Sequence, residues 1–274
     1  NIAFFFLLLA TLLIVVPVGL IVVIIIQKGL PAINWQFLSD IPRQGMRAGG
    51  IFPAIIGTVY LVTGAIIFAL PIGLLAAIYL SEYSKDNLLN RVIKLAIVNL
   101  AGVPSVVYGL FGLALFVIFF KFGASILSGS LTLGIMILPI VITTSREALE
   151  SVPQSFREVS LSLGASKWQT IRHIVLPNAI PGILTGTILG LGRAAGETAP
   201  ILFTVAAFYL PQLPDSIFDQ AMALPYHLYV ISTQVPNVDE KIRYGTAFVL
   251  LALVLFMNLM AIIIRTKFRK KKKW

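Results

Sequence analysis

The stretch EVSLSLGASKWQTIRHIVLP, residues 158–177, is the longest amphipathic, charge-bearing run between two apolar segments of this chain. Ser151 with Gln154, and Ser166 with Gln169, both fit S-x-x-Q. In that capping box a serine hydroxyl and a glutamine side chain satisfy orphan amides at a helix start. Gly164 stands where a helix ends on a left-handed residue. Pro177 stands where a second helix must stop or a new segment begin. The pattern predicts two short helices, over 153–163 and 167–175, folded tightly about Gly164-Ala165. Phe156, Val159 and Leu163 form an apolar edge on the first, and Trp168, Ile171 and Val175 form one on the second.

What flanks this stretch decides the class. Of 274 residues, 58% are hydrophobic and only 12% charged, against about 25% charged in a soluble domain. The apolar residues lie in long continuous runs, so the chain is an integral membrane protein whose spans are helices, the form that satisfies its own backbone in lipid. Six spans are expected: 2–26, 51–80, 95–120, 131–144 (short unless it starts nearer Ala124), 180–210 and 244–264. The first is too long for a signal-peptide core and lacks a clear cleavage site. Gly102-Val103-Pro104-Ser105 is a breaker cluster inside the third. The remaining segments, 27–50, 81–94, 121–130 and 211–243, read as loops. The whole chain, 1–274, reads as one all-α transmembrane domain.

Six spans put both termini on one side. That side collects 14 Lys and Arg: three from 81–94, four from 146–178 and seven from the tail 265–274. The other side collects 6, from 27–50, Lys121 and 211–243. The positive-inside rule therefore places both termini and the 146–178 loop in the cytoplasm. The net charge of +10 is explained by this asymmetry and by anchoring to anionic lipid, not by nucleic acid.

Motifs for chemistry are sparse. There is no cysteine, no G-x-x-x-x-G-K-[ST], no G-x-S-x-G and no H-E-x-x-H, so a P-loop ATPase is excluded and an intramembrane hydrolase is only weakly supported. His173 and His227 stand apart from any ligand cluster and read as structural or surface residues. Arg193 and Glu197 remain, both within the fifth span. About 18 Å of helix separates Pro181 from Arg193, a little past halfway through a ~30 Å hydrocarbon core. Charges at that depth are costly and face a bundle interior or a water cavity. One reading is a structural ion pair joining helices. The other is an anion site, because a guanidinium offers paired planar donors to an oxyanion. Glu197 would then hold Arg193 in the absence of substrate, or discriminate by the substrate's protonation state.

Glu158, Gly164, Ile174, Leu176 and Pro177 fall at the spacings of the cytoplasmic E-A-A…G…I-x-L-P motif of ABC importer permeases, with Val159 and Ser160 in place of the two alanines. Gly192-Arg193-Ala194-Ala195-Gly196-Glu197-Thr198-Ala199-Pro200 resembles the R-A-x-G-E-T-A-P signature of phosphate-specific transport permeases, and its Thr-Ala-Pro ending is similar to the A-type rather than the C-type subunit. The 102–109 cluster and Gly49-Gly50-Ile51 with Gly57-Thr58 resemble further motifs of that family.

This resemblance implies a type I ABC importer permease fold, not an enzyme in itself. It implies a heterodimer with a C-type permease, a cytoplasmic ATPase homodimer that binds the ATP and Mg (no cofactor in this chain), and an extracytoplasmic phosphate-binding protein. It implies that Arg193, Glu197 and Thr198 meet the substrate. Coupling to the ATPase falls to Glu158, Gly164, Ala165, Ser166, Ile174, Leu176 and Pro177. A permease for another oxyanion (phosphonate, molybdate or sulfate) and an ATP-independent anion channel are the alternatives.

Overall fold

A computed structural model describes residues 2–85 and 87–270. The end of the basic tail, 271–274, lies outside the described residues. The chain is a helical bundle. Five helices are long and apolar enough to cross a membrane, and a bent pair brings the number to six when it is counted as one span.

The first, α1 (Ile2–Gly29), leaves most of its described apolar side chains exposed and packs along the last helix, α12 (Glu240–Lys270). A 3₁₀ turn, the short α2 (Trp35–Ser39, capped by Asn34) and a two-residue hairpin, β1 (Pro42–Arg43) with β2 (Ala48–Gly49), occupy the first loop. Next comes α3 (Phe52–Ile78), which runs on through a π-helical end, Tyr79–Tyr83. The long central helix α6 (Ile126–Glu150) packs against α3 and α9, and these three form the middle of the bundle.

Four expectations change. The third span is not one helix: α4 (Leu88–Ala101) and α5 (Ser105–Gly112, with a π-helical continuation Leu113–Phe119) meet at 102°. Pro104 has no amide for the ladder and pushes Val103 out of helical geometry. The fourth span is full length, because Ser125 caps it on the Ser128 amide. The fifth does not end at Leu210. Helix α9 (Leu176–Gly196) stops at Glu197, whose backbone is extended, and a separate short helix, α10 (Ala199–Thr204), follows. The 211–243 segment is not all loop, since it contains the buried helix α11 (Leu224–Thr233).

The opening stretch is partly as expected. Helices α7 (Gln154–Ser162) and α8 (Lys167–Thr170) fold about Gly164 at φ +85°. The Gly164 amide bonds Leu161 O and the Ala165 amide bonds Ser160 O, a Schellman closure. Ser166 and Gln169 form the capping box. Ser151 does not, because it ends α6 with its hydroxyl on Ala148 O. Nor does the second helix stop at Pro177. A π-helical turn, Ile171–Val175, joins α8 to α9, and Lys167–Gly196 is one continuous helix. In an α-helix the Pro177 ring would press on the carbonyl four residues back. Here the Leu176 amide bonds Ile171 O, five back, and the wider turn accommodates the ring.

Two cores result. The larger lies between α3, α6, α9, α10 and α11. The smaller, with Ala77, Leu149, Val152, Ile171, Val175 and Ala179 buried together, ties the α7–α8 hairpin end to α3, α6 and α9.

Candidate functional site

Two features carry the chemistry, one at mid-depth and one at the hairpin end. The first is the break between α9 and α10. Gly190 faces Ile137 and Val141, at the middle of the 25-residue α6, so Arg193, one turn further along, sits near mid-bundle. Arg193 lies in the last turn of α9, and Glu197 is the residue at which the helix ends. Arg193 Nε bonds Glu197 Oε1 at 3.4 Å, across this break. The pairing expected from helical spacing is therefore present, but it does not rest on an unbroken helix, and it joins residues of one segment rather than two helices. The Arg193 side chain is 31% exposed and that of Glu197 19%, so both reach an open face. Among the described residues the two Nη atoms of Arg193 have no hydrogen-bond partner, and neither has the Thr198 hydroxyl.

The second broken segment abuts the first. Gly109 of α5 packs so closely on Ala199, Pro200 and Phe203 that a Cβ there would meet Phe203 at 2.8 Å. Tyr108, one residue before it, donates its hydroxyl to Leu100 O at 2.7 Å across the α4–α5 bend, within reach of the Arg193 charge. Asn258 of α12 lies over Gly192. Tyr108 enters the sequence reading only as a member of the 102–109 cluster, and Asn258 does not enter it. They share no spacing with Arg193, and only the fold assembles them.

The second feature is the α7–α8 hairpin. Glu158, Gly164 and Ser166 are exposed, and Ala165, Ile174, Leu176 and Pro177 are half-buried. Val159, Leu161, Leu163 and Trp168 present apolar surface at this end of the bundle. Of the two edges expected from the sequence, Ile171 and Val175 face the core, while Val159 and Leu163 do not. The hairpin does not bring Glu158 near Arg193, so the two sets of residues form separate sites.

A helical bundle with an accessible charged pair at mid-depth, and with an apolar hairpin displayed at one end, defines a multi-pass membrane transport subunit. Residues 69–274 match the family described as "Binding-protein-dependent transport system inner membrane component". The chain belongs to this family of ABC importer permease subunits. It is 34% identical to the probable ABC transporter permease protein YqgI of Bacillus subtilis, over 93% of this chain and 90% of that one. It is also 34% identical to the phosphate transport system permease protein PstA of Xylella fastidiosa (89% and 85%) and 37% identical to PstA 1 of Mycobacterium tuberculosis (80% and 71%). The fold is shared with the inward-facing MetNI methionine ABC transporter (TM-score 0.63, 15% identity, 80% of this chain and 97% of that one). It is shared too with a bacterial ABC transporter for alginate (TM-score 0.60, 16% identity, 96% and 94%).

Proposed function

We propose that this permease subunit translocates inorganic phosphate, with Arg193 and Glu197 as its contacts at mid-depth. The observation that carries the reading is the open fork of Arg193. Glu197 engages Nε alone, so both Nη donors are turned to an accessible face and can bind two phosphate oxygens at once. The Glu197 carboxylate can accept a hydrogen bond from a protonated phosphate oxygen and repels an anion without a proton, which disfavours sulfate. The Thr198 hydroxyl supplies a third polar contact. The PstA relatives, named as phosphate transport permeases, support this choice of substrate.

The subunit works by alternating access. In this reading the hairpin docks on a cytoplasmic ATPase homodimer, which holds the ATP and Mg. Glu158, Gly164, Ala165 and Ser166 shape the docking element, and Ile174, Leu176 and Pro177 join it to α9. A C-type permease completes the pore and an extracytoplasmic binding protein delivers phosphate. The domain is the chain 1–274, with 146–178 as the coupling loop and 265–274 as a basic cytoplasmic tail in the cell membrane. The exposed apolar side chains of the hairpin support an ATPase partner, because four such residues at the end of a bundle mark a covered surface.

The test is ATP-driven uptake by the co-purified complex in vesicles, with phosphate, phosphonate, molybdate and sulfate in competition. Arg193→Ala should abolish phosphate uptake with assembly intact. Arg193→Lys keeps the charge but loses the fork and should retain under about a tenth of wild-type uptake. Normal uptake by the Lys variant, or equal competition by sulfate, sinks the reading. Uptake without ATP would make the protein a channel.

A further inference from the structure

The hairpin follows α6 after three residues, runs on into α9 and rests on the smaller core. A further tie is made by polar side chains. Arg157 of α7 reaches Glu82, in the π-helical end of α3, with Nη2 at 2.8 Å and Nε at 3.4 Å from its carboxylate. The same guanidinium donates to Val152 O at 2.6 Å and to Leu149 O at 2.9 Å at the end of α6. One side chain thus holds three elements. The next residue after Glu82 grips the other arm, for Lys167 Nζ of α8 lies 4.9 Å from the centre of the Tyr83 ring. Ser160 and Thr170 hydroxyls, 2.9 Å apart, join the two arms to each other.

Among the ion pairs of the described residues, Arg157–Glu82 alone joins distant elements while largely shielded, with the side chains 13% and 8% exposed. Lys28–Glu240 is distant but exposed, and the other pairs are local in sequence. Exposed pairs contribute little, whereas breaking a buried one leaves an uncompensated charge. Packing holds α7 lightly, through the half-buried Phe156 against the smaller core. None of its residues is buried, and a cavity of about 410 Å³ lined by Ser81, Glu150, Gln154 and Leu161 lies beside the joint. Without Arg157 the arm has room to swing.

We propose that Glu82 and Tyr83 form a receiving joint for the hairpin, locked by the positioning residue Arg157, so that a displacement of the hairpin is delivered to α3 as well as to α9. Helix α3 then carries it across the bundle to the opposite face, where the Thr58 hydroxyl oxygen accepts the Leu224 amide at 2.8 Å and so holds the start of α11. The inference rests on the reading of the hairpin as the ATPase-docking element.

The chain has no cysteine, so spin labels can be placed at Lys85→Cys and Ser162→Cys in the full complex with cysteine-free partners. In the wild-type joint the label distance should stay constant when ATP binds. In Arg157→Ala it should change with ATP, and the ATP hydrolysed per phosphate imported should rise about tenfold, within the range of ordinary coupling energies. The proposal is overturned by a wild-type distance that moves with ATP, or by Arg157→Ala with wild-type distance and ratio. If Arg157→Ala fails to assemble, Arg157→Lys, which can meet Glu82 but not both carbonyls as well, replaces it, and an unchanged ratio there is equally fatal. A wild-type complex that imports no phosphate under ATP would defeat the substrate reading alone, and the label distances would still decide the joint.

Discussion

His227 shows how a single side chain can couple stability to the medium. It is buried in α11, its Nδ1 without a partner among the described residues, and burial pushes its imidazole down from 6.5 to about 4. The folded chain keeps it neutral where the unfolded chain would protonate it. Stability from this group is therefore complete above pH 6.5, declines as pH falls toward 4, and levels off below. The total loss is of the order of 3 kcal/mol. Thermal unfolding of the purified complex between pH 7.5 and 4.5 should show this decline, and His227→Phe should flatten it. A slope that persists in the Phe variant would assign it to other groups. Arg193 differs in kind. Its fork is left open, with Glu197 restraining the guanidinium at one nitrogen only.

At the level of elements, close approach of α9 to α6 depends on glycine. A Cβ on Gly186 would run into the Thr144 side chain. Gly186→Val should cost about 1–3 kcal/mol from overpacking, read as a lowered melting temperature and poorer recovery of the complex. Wild-type melting would mean that the two helices separate easily. The elements also mark what the sequence makes legible. Long apolar runs, the Ser166 capping box and the left-handed Gly164 are local, so they can be read directly. The breaks are harder. Pro104 signals one, but at Glu197 Pro200 signals a bend and not a full stop, because Gly196 and Pro200 are tolerated inside membrane helices when neighbours satisfy the backbone. Pro177 pointed to a stop that a π turn avoids. Arg157 and Glu82, 75 positions apart, could be joined only by the fold. The charged pair itself was legible, because ionisable residues in an apolar run stand out by cost alone.

Across the whole molecule, the distribution of basic residues sets orientation. With 14 Lys and Arg on the hairpin side against 6 on the other, the hairpin and both termini should face the cytoplasm. Single cysteines at Ser162 and at Gln44 report this directly. An impermeant maleimide added to intact cells should label Gln44→Cys and leave Ser162→Cys untouched until the membrane is opened, and the reverse pattern would invert the topology. The two breaks, α4–α5 and α9–α10, meet at Gly109 and Pro200. The bundle thus has continuous helices around a zone of interrupted ones, and Arg193 stands at that interruption.

The π turn at Ile171–Val175 also fixes a phase. Each residue of an α-helix advances the direction of its side chains by about 100°, and a five-residue loop in the ladder absorbs one residue more than an α turn does. Trp168 can thereby point outward at the hairpin end while Val175, Ala179 and Ile183 point into the bundle. Deleting one residue between 171 and 175 would let the ladder close as ordinary α-helix, at the expense of the room made for Pro177. The docking edge would then keep its angle to the face that bears Arg193, whereas closing the turn as α-helix with every residue kept would rotate that edge by about 100°. The segment acts as the keyway of a shaft: its wide turn sets the angle at which torque applied at one end arrives at the other.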